Sequence, residues 1–152
     1  MYRIKGFTLI ELMMVIIIGA ILLTVGIPGF LNLVQRNAVT TTSNELLASL
    51  LLARSEAVRQ ELNTTFTLEA DGWEVDTGAV NQISNTVAND NITLAGNLST
   101  PGDTITYNSM GRAALVVGDS IDVSFDGEVL SHVCLTITGR PYIKSESEGD
   151  CP

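Results

Sequence analysis

One carboxylate stands at the edge of the longest uncharged stretch of the chain. Residues 12 to 30 carry no charged side chain, and Glu11 directly precedes them. As a helix these 19 residues would extend about 28 Å, close to the hydrocarbon thickness of a bilayer. A carboxylate in that medium costs roughly 2.5 to 3.5 kcal/mol on insertion scales. Glu11 therefore needs either a partner or a function.

A cut after Gly6 would provide the partner, because it creates an amino group on Phe7. Phe7 precedes Glu11 by four residues, which corresponds to about 6 Å along a helix axis. The two charges can pair within one chain. Pairing between neighbouring chains would also fix their axial stagger, because any other stagger would leave a charge unpaired in lipid.

Two simpler interpretations of the N-terminus compete with this one. An ordinary secretory signal also has a basic start, here Arg3 and Lys5, and an apolar centre. The length of the apolar stretch, Glu11 and Pro28 fit such a signal poorly. A plain single-pass anchor accounts for the length but leaves Glu11 without a role. The basic residues favour a cytoplasmic N-terminus, with the rest of the chain outside.

Outside the N-terminal motif, the residues with titratable or nucleophilic side chains do not form a recognisable catalytic or metal-binding set. His132 is the single histidine and lies in a predicted strand, where we expect a structural or exposed role. Asp119 and Asp122 are expected to be solvated loop charges rather than an acid–base dyad or calcium ligands. The sequence has no phosphate-loop, nucleophile or zinc-spacing motif. We therefore expect no enzyme activity, no metal and no cofactor.

Net charge and the two cysteines bear on partners and compartment. The formal charge is −9, and loss of the first six residues leaves 6 basic and 17 acidic side chains, or −11. That sign disfavours general nucleic-acid binding and favours soluble, mutually repelling heads. Cys134 and Cys151 predict a single disulfide. Such a bridge is worth roughly 3 kcal/mol in the chain-entropy model and indicates an oxidising compartment such as a periplasm.

A long helix is predicted to position the N-terminal motif. Its pattern continues to about Leu62, and Gly26, Pro28 and Gly29 interrupt it, which predicts a kink, a locally melted turn or a simple bend. Arg54 lies within the apolar face, where we expect it to find an acidic or carbonyl partner. That face is expected to pack on a sheet and contains Val39, Leu46, Leu47, Leu50, Leu51, Ala53, Ala57, Val58 and Leu62. The opposite side carries Glu45, Ser49, Glu56, Arg59 and, as an apolar exception, Leu52.

Short alternating segments after Asn63, separated by turn residues, predict antiparallel strands. The segments are 65–69, 73–76, 92–94, 104–107, 114–117, 121–125 and 132–137. Asp71 and Gly72 favour a hairpin between the first two strands. Residues 77 to 91 have little apolar content and are expected to form an exposed loop. The sequence therefore predicts an α+β protein with one globular head.

The string GFTLIE, from Gly6 to Glu11, and the apolar run after it resemble the class III leader of type IV prepilins and of type II secretion pseudopilins. The resemblance implies that a prepilin peptidase cuts between Gly6 and Phe7, requires Gly6 at the cut and methylates the new amine of Phe7. It also implies the type IV pilin fold. In that fold a long N-terminal helix, with a transmembrane half and an amphipathic half, packs on an antiparallel β-sheet head.

Strings in the rest of the chain resemble the GspH/FimT family of minor pilins and pseudopilins. They are RSEAV from Arg54, GWEV from Gly72, ITYNSMGR from Ile105, and Cys134 with Gly139-Arg140. The resemblance implies a subunit present in few copies that helps to initiate or cap a type IV pilus, with a type II secretion pseudopilus as the alternative. The implied partners are the prepilin peptidase, other major and minor pilins or pseudopilins, an inner-membrane assembly platform, and membrane lipid before assembly.

The implied organisation has four parts. They are a removed leader at 1–6, a transmembrane and filament-core helix at 7–30, an amphipathic half of the long helix at 31–62, and a β-sheet head with a disulfide loop at 63–152. The implied location is the bacterial inner membrane, with a single span and the head in the periplasm, and afterwards the filament.

Some members of the family bind DNA for natural transformation through a Gly-Arg-x-Arg string. This chain has Gly139-Arg140-Pro141-Tyr142, so a tyrosine replaces the second arginine. Glu146, Glu148 and Asp150 follow, and only Lys144 adds a positive charge. We therefore expect that DNA is not a partner, that Arg140 lies in a turn, and that Tyr142 lies on an edge strand.

Overall fold

The computed structural model describes residues 6–69, 71–78 and 82–152. In these residues one α-helix, α1 (Leu9–Gln60), precedes eight strands: β1 (Thr64–Glu69), β2 (Gly72–Asp76), β3 (Gln82–Thr86), β4 (Ile92–Asn97), β5 (Thr104–Tyr107), β6 (Ser120–Phe125), β7 (Glu128–Leu135) and β8 (Pro141–Ser145). Short 3-10 turns lie at Pro101–Asp103 and Glu146–Glu148. The predicted combination of one long helix and antiparallel strands is confirmed.

The chain divides into two compact units, the first ending at Gln35 and the second spanning Arg36–Pro152. We call the second unit the head domain. In the first unit every described large apolar side chain from Leu9 to Val34 is exposed. By length and composition α1 is long and apolar enough to cross a membrane. Its apolar side chains therefore have no partners within the unit and are available to lipid or to other helices.

The helix is assigned without interruption through Gly26, Pro28 and Gly29. The locally melted turn, one of the three predicted possibilities, is therefore absent from the structure. A kink or bend at these residues stays a prediction.

The part of α1 in the head domain buries one stripe of side chains. Its buried members recur every three or four residues, as expected for one face of a helix, and are Val39, Thr42, Ser43, Leu46, Ser49, Leu50, Ala53 and Ala57. The predicted face was too wide, because Leu51, Val58 and Leu62 are exposed, and Ser49, assigned to the opposite side, is buried. Glu61 follows the helix in the left-handed conformation, with φ of 56°, and ends the helical path before β1.

Two four-stranded sheets form the rest of the head domain, in the orders β3-β2-β1-β5 and β4-β6-β7-β8, with antiparallel neighbours. A single apolar cluster joins both sheets to the buried stripe of α1. Its fully buried members include Phe66, Trp73 and Tyr107 from the first sheet and Ile121 and Val133 from the second. The predicted helix-on-sheet packing is thus confirmed.

Two predicted segments were wrong. Residues 77 to 91 contain β3, which the sequence concealed because Ile83, Ser84, Asn85 and Thr86 are all exposed and show no alternation. Gly72 allows this strand to approach β2, since a Cβ there would collide with the Asn85 carbonyl. The predicted strand at 114–117 is instead an irregular loop, with only an isolated bridge between Tyr107 and Ala113 among the described residues.

The C-terminal strands differ from the prediction in their bounds and in their number. β7 begins at Glu128 and ends at Leu135, before the predicted end at Ile137, because the turn from Thr136 to Arg140 interrupts it. β8 was not among the predicted segments, since Pro141 at its start reads as a turn residue, although Tyr142 by itself was expected on an edge strand. A proline is tolerated there because β8 is an edge strand.

Candidate functional site

The N-terminal motif lies where coil becomes helix. Gly6, Phe7 and Thr8 are non-helical, and α1 begins at Leu9. The Phe7 side chain is 87% exposed. A Cβ placed on Gly6 would meet no atom within 4 Å, so packing within the chain does not require glycine there. The bond between Gly6 and Phe7 therefore lies in an accessible, non-helical segment.

Thr8 and Glu11 cap the helix reciprocally. The Thr8 N–H and hydroxyl each donate to Glu11 Oε2 at 2.8 Å, and the Glu11 N–H donates to Thr8 Oγ1 at 3.3 Å. This is the capping-box arrangement, with Thr at the N-cap and Glu three residues later. The negative carboxylate also lies at the favourable, positive end of the helix dipole. In the uncut chain Glu11 therefore has a partner close by in sequence.

Thr8 was not among the predicted functional residues, although the spacing Thr-x-x-Glu is the sequence signal for a capping box. The predicted partner of Glu11, the Phe7 amine, does not exist before the cut. Pairing of Glu11 with that amine, cleavage at Gly6 and methylation of Phe7 all stay predictions.

Two models of known protein families match this chain, one over the N-terminal motif and one over most of the head domain. A family model described as type II transport protein GspH matches residues 42–139, which is more than half of the chain. A second model, for the prokaryotic N-terminal methylation motif, matches residues 1–27. This chain belongs to the GspH family. No curated protein sequence matches the chain.

Two solved structures share the fold of this GspH-family chain. Both are crystal structures of the type IV minor pilin FimU from Pseudomonas aeruginosa. The crystal form in space group P21 has a TM-score of 0.58 and 18% identity, and the match covers 78% of this chain and 95% of that one. The P65 form has a TM-score of 0.52 and 18% identity, with 74% and 96% covered. The predicted type IV pilin fold is confirmed, and the family is one of structural pilins.

The predicted disulfide of the GspH-family head is present. Cys134 on β7 is bonded to Cys151, 17 residues later in the sequence. Two further contacts hold the C-terminal segment: Lys144 Nζ donates to the Asp150 carbonyl at 2.8 Å, and the Gly118 N–H donates to the Pro152 carbonyl at 3.2 Å. The segment after β8 therefore folds back over the second sheet.

Arg140 and Lys144, the two cations that could contact DNA in this region, have different surroundings. Arg140 is exposed in the turn before β8, and Tyr142 lies on that edge strand, as predicted. The Lys144 ammonium is already donating to the Asp150 carbonyl. Glu146 and Glu148 follow β8 directly in the second 3-10 turn, so two carboxylates would repel a nucleic-acid phosphate that approached Lys144.

The expectation that Asp119 and Asp122 are solvated loop charges was wrong. Asp119 is 3% exposed. Its carboxylate accepts from the Ser99 N–H, the Ser99 hydroxyl and the Val116 N–H at 2.8 to 2.9 Å. These bonds tie separate loops of the GspH-family head together, so the role is structural.

Asp122 pairs with His132, the single histidine. His132 Nδ1 lies 2.7 Å from Asp122 Oδ1, and both side chains are largely buried. Ser120 Oγ donates to the same carboxylate at 3.4 Å. Asp122 and His132 face each other across β6 and β7, so their pairing braces these two strands.

Proposed function

We propose that this chain is a prepilin that becomes a minor subunit of a type IV pilus-like filament and helps to initiate or cap its assembly. One observation carries the proposal: a capped carboxylate, Glu11, directly precedes an exposed, uncharged helical stretch of membrane-spanning length. A stable soluble protein would not leave that stretch without partners. Assembly into a bundle of like helices covers the stretch and gives the carboxylate a function.

Processing would begin at the segment before the helix. The peptide bond after Gly6 is accessible, and Gly6 has no packing role within the chain, which supports a requirement set by the prepilin peptidase. Cleavage would leave the Phe7 amine, and methylation would follow there. The chain would wait in the inner membrane, surrounded by lipid, with its head domain in the periplasm, where the Cys134–Cys151 disulfide is stable.

Assembly would exchange the partners of Glu11. In the uncut chain its carboxylate accepts two hydrogen bonds from Thr8, which are neutral donors. The Phe7 amine of an already assembled neighbour is charged, and charge-assisted hydrogen bonds are roughly twice as strong as neutral ones. The inner-membrane assembly platform would deliver an incoming subunit to other major or minor pilins. The subunit would be stabilised most at the axial stagger that brings its Glu11 carboxylate to the Phe7 amine of its neighbour.

A type II secretion pseudopilus is the second candidate, because the matching family model carries the description type II transport protein GspH. We prefer the pilus, since the solved structures with this fold are of a type IV minor pilin and the late disulfide suits a head of the minor-pilin kind. A deletion strain separates the two. Loss of twitching with intact protein secretion supports the pilus, and the reverse pattern supports the pseudopilus.

The decisive experiment follows the chain into sheared filaments from the native host. Mass spectrometry of the wild-type chain should show a methylated Phe7 at the N-terminus. Gly6→Val should keep the leader and be missing from filaments. Glu11→Gln should be cut normally but be recovered at least tenfold less, whereas Glu45→Gln, a matched change at an exposed helical position, should behave like the wild type.

The proposal fails if filaments contain the chain with its first six residues attached. It also fails if the Glu11→Gln chain is incorporated as well as the Glu45→Gln control.

A further inference from the structure

A groove of about 490 Å³ lies within the head domain, between α1 and the β7–β8 edge of the second sheet. Its apolar lining comes from Val39, Leu130 and Ile143, which belong to the core cluster or pack against it. A space of this volume is large enough to hold a small ligand. We call it the α1–β8 groove. The charged side chains that line it indicate which ligand would fit.

One cation and one carboxylate line opposite walls of the α1–β8 groove. Arg36 lies on the α1 wall, and Glu146 lies on the wall that follows β8. Both side chains are exposed, and neither forms an ion pair with any residue that the structure describes. The two charges therefore share one groove without neutralising each other. A ligand that fits them carries an anionic group for Arg36 and a cationic group for Glu146.

Glu146 is held in place by an ordered turn. The Ser145 N–H donates to Glu148 Oε2 at 3.0 Å, and the Ser147 N–H donates to Ser145 Oγ at 3.4 Å, which closes a capping box. The carboxylate of Glu148 is thus already bonded, and the Lys144 ammonium donates to a backbone carbonyl. Because the turn is ordered before a ligand arrives, little conformational entropy is lost when Glu146 binds one.

The sequence places the α1–β8 groove close to the membrane. Arg36 is the first charged residue after Glu11, and it follows Phe30, the end of the uncharged stretch, by six positions. Six residues reach at most about 20 Å even when fully extended. A chain inserted through the uncharged stretch therefore keeps Arg36 near the lipid head groups. A guanidinium group binds phosphate through paired hydrogen bonds, so a lipid phosphate is the anion that suits this wall.

We propose that the α1–β8 groove binds the head group of a zwitterionic glycerophospholipid that carries a phosphate and a primary amine. Arg36 binds the phosphate, and Glu146 accepts hydrogen bonds from the ammonium. The glycerol and the first acyl carbons cover Val39, Leu130 and Ile143. The inference rests on the membrane-anchored stage of the proposed function and deepens it, since it names the lipid that holds the head domain at the membrane surface before assembly.

Native mass spectrometry of the purified full-length chain in detergent tests the site. Phosphatidylethanolamine and phosphatidylglycerol with identical acyl chains present the same phosphate with and without the amine. The wild-type chain should retain phosphatidylethanolamine about fivefold better, the ratio expected for one exposed ion pair. Lipid around the uncharged stretch is the same in every variant of the groove, so differences between variants report the groove alone.

The two charged residues should have different effects. Arg36→Gln should weaken the retention of both lipids about fivefold, because both carry the phosphate. Glu146→Gln should abolish the preference for phosphatidylethanolamine and leave phosphatidylglycerol retained at least as well as before. Arg112→Gln and Glu69→Gln neutralise an exposed cation and an exposed carboxylate outside the groove. These matched controls should behave like the wild type.

Asn44→Trp fills the groove without changing its charge, since Asn44 is exposed and lines the α1 wall. It should lower the retention of both lipids, and circular dichroism melts should show every variant chain folded like the wild type. Free glycerophosphoethanolamine, the same head group without acyl chains, should not displace the lipid at equal concentration, because it leaves the apolar lining uncovered. Displacement would assign the groove to a soluble phosphate ester and overturn the lipid proposal.

Three further results would overturn the inference: equal retention of the two lipids by the wild type, a Glu146→Gln chain that keeps the preference, or an Asn44→Trp chain that retains lipid normally. The last of these would leave the groove to a protein neighbour. The experiment uses no filament. A chain that prefers phosphatidylethanolamine but is absent from filaments would refute the proposed function alone, and the reverse pattern would refute this inference alone.

Discussion

Polar atoms without partners mark the core of the head domain. Within the described residues the hydroxyls of Thr64 and Tyr107 and the indole N–H of Trp73 are buried and lack a hydrogen-bond partner. Each such group costs about 1 to 3 kcal/mol relative to a satisfied one. Burial raises the pKa of Tyr107 to about 12, and the charge of Arg54 opposes part of that shift. Tyr107 therefore stays neutral at pH 7, while its buried hydroxyl lacks a hydrogen-bond partner among the described residues.

Tyr107→Phe should raise the free energy of unfolding by about 1 kcal/mol at pH 7, because it removes an unsatisfied hydroxyl and keeps the ring. The pKa of Tyr107 is raised above its ordinary value of 10.0. Its neutral form therefore stabilises the fold fully below pH 10.0, and this contribution falls as the pH rises toward 12. The wild-type chain should lose stability over that interval more steeply than the variant.

Urea unfolding of the full-length chain in detergent, from pH 7 to 11, measures both effects. Tyr142→Phe, on edge strand β8, is the matched control and should change neither the stability at pH 7 nor the alkaline slope. A Tyr107→Phe chain that is less stable than the wild type at pH 7 would show that its hydroxyl has a partner after all.

At the scale of elements, the start of α1 depends on a local motif rather than on packing. All described large apolar side chains of its first turns are exposed, so tertiary contacts within the chain do not hold this end of the helix. The Thr8–Glu11 capping box satisfies N–H groups that a helix start otherwise leaves free. The same carboxylate that is predicted to act in assembly thus first fixes where the helix begins.

Thr8→Val should fray the first turn of α1 in the uncut chain, at a cost of about 1 kcal/mol to helix stability there. Amide hydrogen exchange at residues 9 to 12, measured in detergent, should speed up roughly fivefold, as that free energy implies. Thr24→Val is the matched control, since the Thr24 hydroxyl donates to the Ile21 carbonyl within the helix and does not cap its first turn. Unchanged exchange at the first turn would show that the capping box does not set the helix start.

The elements that the sequence predicted well are those with a local cause. Helical periodicity located α1, and the oddity of Arg54 in an apolar face correctly required a partner, which is the Gly111 carbonyl. β3 and the bounds of β8 were not predicted, because what holds these strands is not local in sequence. β3 has exposed side chains and is held by backbone pairing with β2, while β8 begins with a proline and depends on β7.

The residues of interest likewise divide into those with a local cause in the sequence and those without one. Glu11 stands out from the sequence alone, because a carboxylate beside an uncharged helix is costly wherever the chain folds. The predicted cut between Gly6 and Phe7 rests in addition on the resemblance to the class III leader, and it stays a prediction. The loop at residues 114–119 could not be foreseen, since the continuous apolar run at 114–117 favours a strand. The buried Asp119 carboxylate, which accepts from the Val116 N–H, and the Pro152 carbonyl, which accepts from the Gly118 N–H, hold it as a loop.

On the scale of the whole molecule, the C-terminal segment closes the head domain. It runs from β8 back to the loop at residues 114–119, and the Cys134–Cys151 disulfide attaches it to β7. The Asp150 carbonyl accepts from Lys144, and the Pro152 carbonyl accepts from Gly118. The segment carries Glu146, Glu148 and Asp150, and their mutual repulsion would favour its release if the covalent bond were absent.

Removing both cysteines should therefore destabilise the head domain by about 3 kcal/mol, the chain-entropy value for a loop of this length. Urea unfolding of the full-length Cys134→Ala, Cys151→Ala chain in detergent measures the loss, and the wild-type chain treated with a dithiol reductant should match it. Two non-covalent contacts remain, so the folded state should persist at 25 °C while the Gly118 amide loses its protection from hydrogen exchange. A loss below about 0.5 kcal/mol with Gly118 still protected would mean that the hydrogen bonds alone hold the segment and that the disulfide adds nothing to this closure.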